Sequence, residues 1–406
     1  MPLPLEGYKV IDFSVAIFGS MNSMMLGDMG ADVIKVEPLE GDFMRISTFR
    51  SGDGARFMSC NRSKRSLAVN LKDDRGKEMV WKLLKDCDVV IQNFRPGVME
   101  RMGFGYKAIS AINPRVIMVS QYGYGETGPL AHRMGGDLWA QAMGGVVALQ
   151  GSPSGPPYIG GVAWADHGGG VLATMATLSA ILARERYGVG QEVTLNLLDT
   201  VIHMQSATIA DWLVDGRLLK KSGRGWGAGF PYGAYPCKDG DIVTIMGRDD
   251  IEWPVLCKLL DIEWILEDKR YETHMMRLGL KDELYPILDE AFKKKTRAEW
   301  VEAFRKVKLR VDPALDYKEL FEHPQVYAND MVIEQQHAEF GKIRLTGIPY
   351  KLKGTPLPTP QMPPPLLGQH TREIMRSLGY PEETIQKYWD EGVVGITEPP
   401  ASPAPR

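Results

Sequence analysis

The chain has 406 residues, 44% of them hydrophobic, and its 48 basic and 51 acidic side chains leave a net charge of -3. That is the composition of a soluble globular protein with room for one large domain and a smaller one. It excludes a broad electrostatic footprint for nucleic acid, so an anionic ligand has to meet a local basic pocket. Cys60, Cys87, Cys237 and Cys257 are widely and irregularly spaced with no CxxC, which points to reduced thiols in a cytoplasmic setting and away from a disulfide framework. The opening MPLPLEGYKVIDF lacks the basic-then-apolar order of a secretory signal. The longest apolar helix falls short of the ~20 residues a bilayer needs, so no membrane partner is expected.

In chain order, YKVIDF reads as a strand, SMNSMMLGDMG as a helix closed by Gly30, and ADVIKVE as a second strand. SLAVNL, DRGKEMVWKLLKDC and DVVIQNF repeat the strand, helix, strand order, with a short helix at VMERMG; KAISAINP and RVIMVSQYG add another helix and strand. This alternation predicts an α/β fold, a Rossmann-like parallel sheet covered on both faces. GGDLWAQAMGGVVAL, the helix after Asp166, and EVTLNLLDTVIHMQSATIADWLVDG continue it. Composition changes near Lys221, where a glycine-dense run leads to a hairpin at Asp239 and Gly240 and then to charge-rich helices. The division expected is a large Rossmann-like domain over residues 1–221 and a smaller α+β domain over 222–330. Residues 331–406 return to the large domain with a Pro-rich linker, a final helix from Thr371 and a disordered tail.

One stretch, GGVAWADHGGGVLATMATLSAILARERYG at residues 160–188, sets Asp166 against three consecutive glycines at a helix start. A helix N-cap accounts for the Asp. It does not account for the glycines, each of which costs about 1 kcal/mol against Ala in a helix. Their presence predicts a close backbone approach, or bare N–H groups facing a ligand. A carboxylate beside free N–H donors has the components of covalent acyl chemistry, a nucleophile and a place for an oxyanion. With an ordinary pKa near 3.9, the carboxylate is ionised at neutral pH and needs no base.

Other constellations are weaker. The first βαβ unit has Glu37 where a ribose-binding acid would stand, but Gly19 alone replaces a GxGxxG fingerprint, which argues against a dinucleotide cofactor. The seven histidines form no metal-binding spacing, so no metal is expected, and His167 is read as structural. Arg45, Arg62, Lys64, Arg65, Lys72, Arg95 and Arg101 recur near strand ends and are candidates for a phosphate-bearing ligand. Gly225, Gly227 and Gly229, in GRGWGAGFPYG, form either a flexible connector or a loop that closes over a reactive intermediate. Trp139, Trp164, Trp226 and the methionines of SMNSMMLGDM suggest a roomy apolar acyl site.

Taken together, PLEGYKVIDF, LGDMGADVIKVE, NRSKRSLAVNLKDDRGKE, NFRPGVMERMGFGY, INPRVIMVSQYGYGETGP, GGDLWAQAMGG, the Asp166 segment through GVGQEVTLNLLD, HPQVYAND and PLLGQHT resemble the class III coenzyme A transferases, the family of formyl-CoA transferase and carnitine CoA-transferase. The resemblance implies that Asp166 forms an aspartyl anhydride and then an aspartyl-CoA thioester. It implies that Ala16, Val69, Lys72, Asn93, Phe94, Arg101 and Met102 contact CoA, and that Asp137 is an acidic active-site residue. CoA would be a substrate with no tightly bound cofactor, and the chain an interlocked-ring homodimer. Pro38 and Met134 stand where formyl-CoA transferase has basic residues, which argues against a formyl or oxalyl substrate; weak similarity in the second half suggests a 2-hydroxy or 2-enoic acid. Two alternatives stay open. α-Methylacyl-CoA racemase resembles this chain but has GHD where Gly135, Gly136 and Asp137 stand, so one proton-transfer group is missing. A noncatalytic CoA-binding protein would not need Asp166.

Overall fold

The computed structural model describes residues 2–46, 54–221, 223–225, 229–240, 242–246 (backbone only) and 250–400. Its largest element is a seven-stranded sheet built from β1 (Lys9–Asp12), β2 (Asp32–Glu37), β3 (Arg65–Val69), β4 (Val89–Gln92), β5 (Ile117–Tyr122) and β6 (Gln191–Asn196). β7 (Gly233–Pro236), β8 (Ile242–Met246) and β9 (Arg310–Pro313) form a separate antiparallel sheet, and β10 (Val332–His337) pairs with β11 (Gly341–Thr346). β12 (Val394–Gly395) returns to the large sheet.

The large sheet has the order β12-β3-β2-β1-β4-β5-β6 and is parallel except for β12, which runs antiparallel to β3. Successive side chains of a strand point to opposite faces, and here both faces are apolar. Val10, Val33, Val89 and Ile117 pack on one side beneath the helices Phe18–Asp28 and Trp164–Tyr187. Ile11, Ile34, Val90 and Met118 pack on the other, beneath Met79, Val80, Leu84, Ile109, Ile374 and Ile385. This is why the central strands read as nearly continuous hydrophobic runs. The expected mixed α/β architecture with a large parallel sheet is present.

The chain divides into two compact units. The first comprises Met1–Gly144, Gly161–Thr208 and Pro324–Arg406 and carries the large sheet. The second comprises Gly145–Gly160 and Ile209–His323. It holds β7, β8 and β9 and an aromatic core of Phe230, Tyr235, Trp253, Phe292, Trp300 and Phe304, with the Trp300 indole N–H donating to the Phe292 carbonyl at 2.8 Å. The hairpin expected at Asp239 and Gly240 is the β7–β8 pair. Three strands were not expected: β9, β10, which pairs with the foreseen β11, and β12, too short to show a period.

β1, β2 and β3 step outward in one direction, and the chain then crosses back to place β4 on the far side of β1. The loops leaving the C-terminal ends of β1 and β4 therefore border the switch point, where open α/β sheets hold ligands. No helix among the described residues is long and apolar enough to cross a membrane.

Candidate active site

The loop after β1 leads into the first helix, Phe18–Asp28, and the loop after β4 crosses it. The Asn93 side chain joins the two: its amide N–H donates to the Val15 carbonyl at 2.7 Å and its oxygen accepts from the Val15 N–H at 2.9 Å. Ala16 follows in the left-handed region at φ 60°. The first helix then starts at Ile17 with no side-chain cap and no acidic residue in its first turn. Among the described residues the N–H groups of Ile17, Phe18, Gly19 and Ser20 have no hydrogen-bond partner.

Asp166 is the third residue of the helix Trp164–Tyr187, which starts at the same edge of the sheet because it leads into β6. One turn later, Gly169 faces the Phe18 ring so closely that an added Cβ would lie 2.5 Å from it, and at Gly170 it would lie 2.7 Å from Met21. Residues three and four apart share a helix face. Asp166 therefore looks towards the start of the first helix.

Gly169 and Gly170 accordingly fit the first of the two readings, a close backbone approach, while Gly168 would make only ordinary contacts, at 3.6 Å. The first-turn donors of the Asp166 helix are already filled. The Asp137 carboxylate accepts from Ala165 N–H at 2.8 Å and Asp166 N–H at 3.0 Å, and His167 N–H donates to the Ala163 carbonyl at 3.0 Å. Asp137 is thus a cap supplied from another helix, Asp137–Met143, and is itself held by the Gln141 amide, which also reaches the Val162 carbonyl at 3.2 Å. The His167 ring nitrogen sits 2.9 Å from the Ala163 carbonyl.

The Asp166 carboxylate is half-buried and accepts no hydrogen bond from the described residues. Burial, with the Asp137 charge second, pushes its pKa up to about 7. Burial and the Asp137 charge thus correct the expectation of a carboxylate fully ionised at neutral pH. Its charge also contributes to raising the buried Cys60 thiol, behind burial as the main cause.

The other predicted residues separate by location. Val69 is fully buried in the sheet core, so only its backbone reaches the edge. Phe94 and Met102 are half-buried against the same core. Among the basic candidates, Arg45 is paired with Glu37, Arg62 with Asp28, Lys64 with Asp12, and Arg65 with Asp32 and Glu373. Lys72, Arg95 and Arg101 are exposed with no acidic partner among the described residues, and all three follow the C-terminal ends of β3 and β4. In the second unit, Gly225 bridges Gly233, and a Cβ on it would lie 2.5 Å from the Tyr232 carbonyl and 2.7 Å from the Tyr285 hydroxyl. Packing alone requires that glycine. Gly229 lies against Tyr232, while Gly227 and Trp226 fall outside the described residues. The methionine-rich segment is the first helix; Met24 is core and Met21 meets Gly170, so packing accounts for both.

Sequence reading missed a set of buried charges under the β1 loop. Asp12, Lys35 and Lys64 are completely buried and Asp42 nearly so. Lys64 and Lys35 hold the Asp12 carboxyl at about 2 against the opposing cost of burial, and burial depresses Lys64 to about 8. The signal was present, since Asp12 in VIDF and Lys35 in VIKVE are charges inside otherwise apolar strands.

The fold is a mostly parallel, doubly covered α/β sheet, and Asp166 is a half-buried carboxylate that accepts no hydrogen bond from the described residues. The chain belongs to CoA-transferase family III, whose model matches residues 5–371. It is 36% identical over 395 residues to succinyl-CoA:glutarate CoA-transferase of Mus musculus, covering 96% of this chain and 90% of the relative. It is 32% identical over 382 residues to acetyl-CoA:oxalate CoA-transferase of Acetobacter aceti, covering 93% and 97%. The crystal structure of a CAIB/BAIF family protein from Brucella suis matches with a TM-score of 0.86 at 31% identity, covering 93% of this chain and all of that one. This chain is a CoA-transferase, and enzymes of that kind use CoA thioesters as substrates.

Proposed function

We propose that the enzyme moves CoA from an acyl-CoA to a free carboxylic acid in two half-reactions on Asp166. The Asp166 carboxylate attacks the thioester carbonyl; the C–S bond breaks, CoA leaves as thiolate, and an aspartyl anhydride remains. The thiolate then attacks the Asp166 carbonyl carbon and expels the first acid as carboxylate, leaving an aspartyl-CoA thioester. The acceptor carboxylate reverses these two steps: it attacks that thioester to form a new anhydride, and thiolate attack on the acceptor carbonyl regenerates Asp166. Charge balances at every stage, and no proton is exchanged. The observation that carries this reading is a half-buried carboxylate with a pKa of about 7 and no hydrogen-bond partner among the described residues. A raised pKa makes the carboxylate a better nucleophile, and positioning supplies effective molarities of about 10⁵–10⁸ M.

The open N–H groups of Ile17, Phe18 and Gly19 are suited to the developing oxyanion, a role the capped start of the Asp166 helix cannot fill. Ala16, Val69, Lys72, Asn93, Phe94, Arg101 and Met102 are assigned to CoA, with Lys72 and Arg101, joined by Arg95, as its phosphate partners. The relatives' names favour short dicarboxylic acids as the exchanged pair over the 2-hydroxy or 2-enoic acids expected from sequence. A homodimer is supported by apolar surface on the first unit: Val171, Met175 and Leu182 share one face of the Asp166 helix and are 48–58% exposed.

The test is mass spectrometry of the protein after incubation with succinyl-, glutaryl-, oxalyl- and 2-hydroxyacyl-CoA. A hydroxylamine-sensitive adduct is expected on Asp166, and Asp166→Ala is expected to lose transfer by at least about 10³-fold. Full transfer by that variant would sink the mechanism. Exchange of the α-proton by the wild type would favour the racemase reading instead.

A further inference from the structure

The turn between β1 and the first helix is fixed one residue at a time. Ser14 N–H donates to Asp12 at 2.8 Å, Val15 is held twice by Asn93, and Ala16 N–H faces Asp42 Oδ1 at 3.4 Å. The left-handed conformation of Ala16 is unfavourable for a residue with a Cβ, and such strain persists only where the surroundings over-determine it. Lys35 spans that residue. Its ammonium donates to the Ser14 carbonyl at 2.7 Å before Ala16 and to the Ser20 hydroxyl at 3.3 Å after it, and lies 3.3 Å from Asp42 Oδ2. Lys64 holds the same helical turn from the other side, donating to the Ser20 carbonyl at 2.9 Å and to Asp12 at 3.1 Å. Placing full charges in the interior costs several kcal/mol each, and an apolar core would avoid that cost. What these charges hold is the helical turn whose Phe18 ring seats Gly169, one turn from Asp166.

We infer that Lys35 is a positioning residue for the acyl transfer: it staples the strained turn around Ala16 and thereby sets the open N–H groups of the first helix against Asp166. Asp42 is its partner in this, neutralising the ammonium with one oxygen while the other receives Ala16 N–H at 3.4 Å and Met44 N–H at 3.0 Å. This role rests on Asp166 being the acylated residue. A misplacement of 1 Å at such a site costs about 100-fold in rate.

Rapid-quench measurement of Asp166 acylation, with whichever of the four thioesters labels the wild type fastest, tests it alongside CoA affinity and thermal unfolding. Lys35→Met is expected to acylate about 10- to 100-fold more slowly per folded molecule when saturated with acyl-CoA, so that the loss is in the acylation step itself and is not explained by any change in CoA affinity. Asp42→Asn keeps an acceptor for Ala16 and Met44 and loses only the charge, and a slowing of about threefold or more is expected. If Lys35→Met lacks a cooperative unfolding transition, Asp42→Asn decides on the same criterion. A folded variant with lowered Tm and wild-type acylation rate would reduce the network to scaffolding and overturn the inference. Wild-type protein that labels with none of the four thioesters would instead overturn the Asp166 reading on which the inference stands.

Discussion

Two helices begin at the same edge of the sheet and pack against each other, yet their starts are opposites. The Asp166 helix has its first-turn donors filled, two of them by the Asp137 carboxylate. The first helix has no cap, and its first four N–H groups have no partner among the described residues. A capped start is a structural joint, whereas an open one is a place where negative charge is stabilised. Under the mechanism proposed above, the pair separates two tasks: one helix carries the nucleophile, and the other supplies donors for the oxyanion. Glycines 169 and 170 bring the two together.

Gly169→Ala strikes that junction and is expected to have the largest effect. Its Cβ has to displace the Phe18 ring, so a loss of about 1–3 kcal/mol in stability and at least tenfold slower acylation are expected in thermal unfolding and rapid quench. Gly168→Ala is the internal control, because its Cβ would make ordinary contacts at 3.6 Å with Thr200 and Met204. It should hold or raise stability by up to about 1 kcal/mol through helix propensity alone. Equal behaviour of the two variants would break the comparison.

Asp166→Asn tests the electrostatic side through stability. The folded-state pKa is raised from 3.8 to about 7, so the proton is bound more tightly in the folded protein. The stabilisation this gives is complete below about pH 4 and is lost as pH rises through 7. An amide mimics the protonated acid, so the variant should be about 1–3 kcal/mol more stable than wild type at pH 8 and nearly equal to it at pH 4. Denaturant melts at the two pH values would check this, and a gain of the same size at both would contradict it.

Asp137→Asn is the mildest change. Its remaining oxygen still caps Ala165 and Asp166, while the charge that helps raise the Asp166 pKa is gone. The acid limb of the acylation rate, near pH 7 in the wild type, should move to lower pH by less than burial contributes. Asp137→Ala loses the cap as well, at about 1–2 kcal/mol.

Much of the fold was legible because the strands of a doubly covered sheet advertise themselves as apolar runs: KVID, DVIKVE, VVIQ and IMVSQY all fall within predicted segments, and RSLAV starts one residue before its predicted segment. β12 has two residues and no period to read, and β10 is made visible only by its partner. At the candidate site, Asp166 was singled out by its surroundings and by family likeness, and Asp137 by family likeness alone. What could not be read was direction. Gly169 and Gly170 suit a ligand or a neighbouring helix equally well in sequence, and only the position of Phe18 and Met21 decides between them. Likewise seven basic residues near strand ends looked alike until four proved to be tied to buried or nearby carboxylates.

The last strand has a consequence for how the protein is made. Val394 pairs with Val69, and Gly395 with Ala68, so the outer edge of β3 is closed by residues close to the C-terminus. During synthesis the N-terminal strands emerge with that edge unpaired, and an open edge is a template for pairing with other chains. The finished sheet has to wait until Gly395 has left the ribosome. A chain truncated before Val393 would keep Asp166 and still be left with a sticky border beside the segment assigned to CoA.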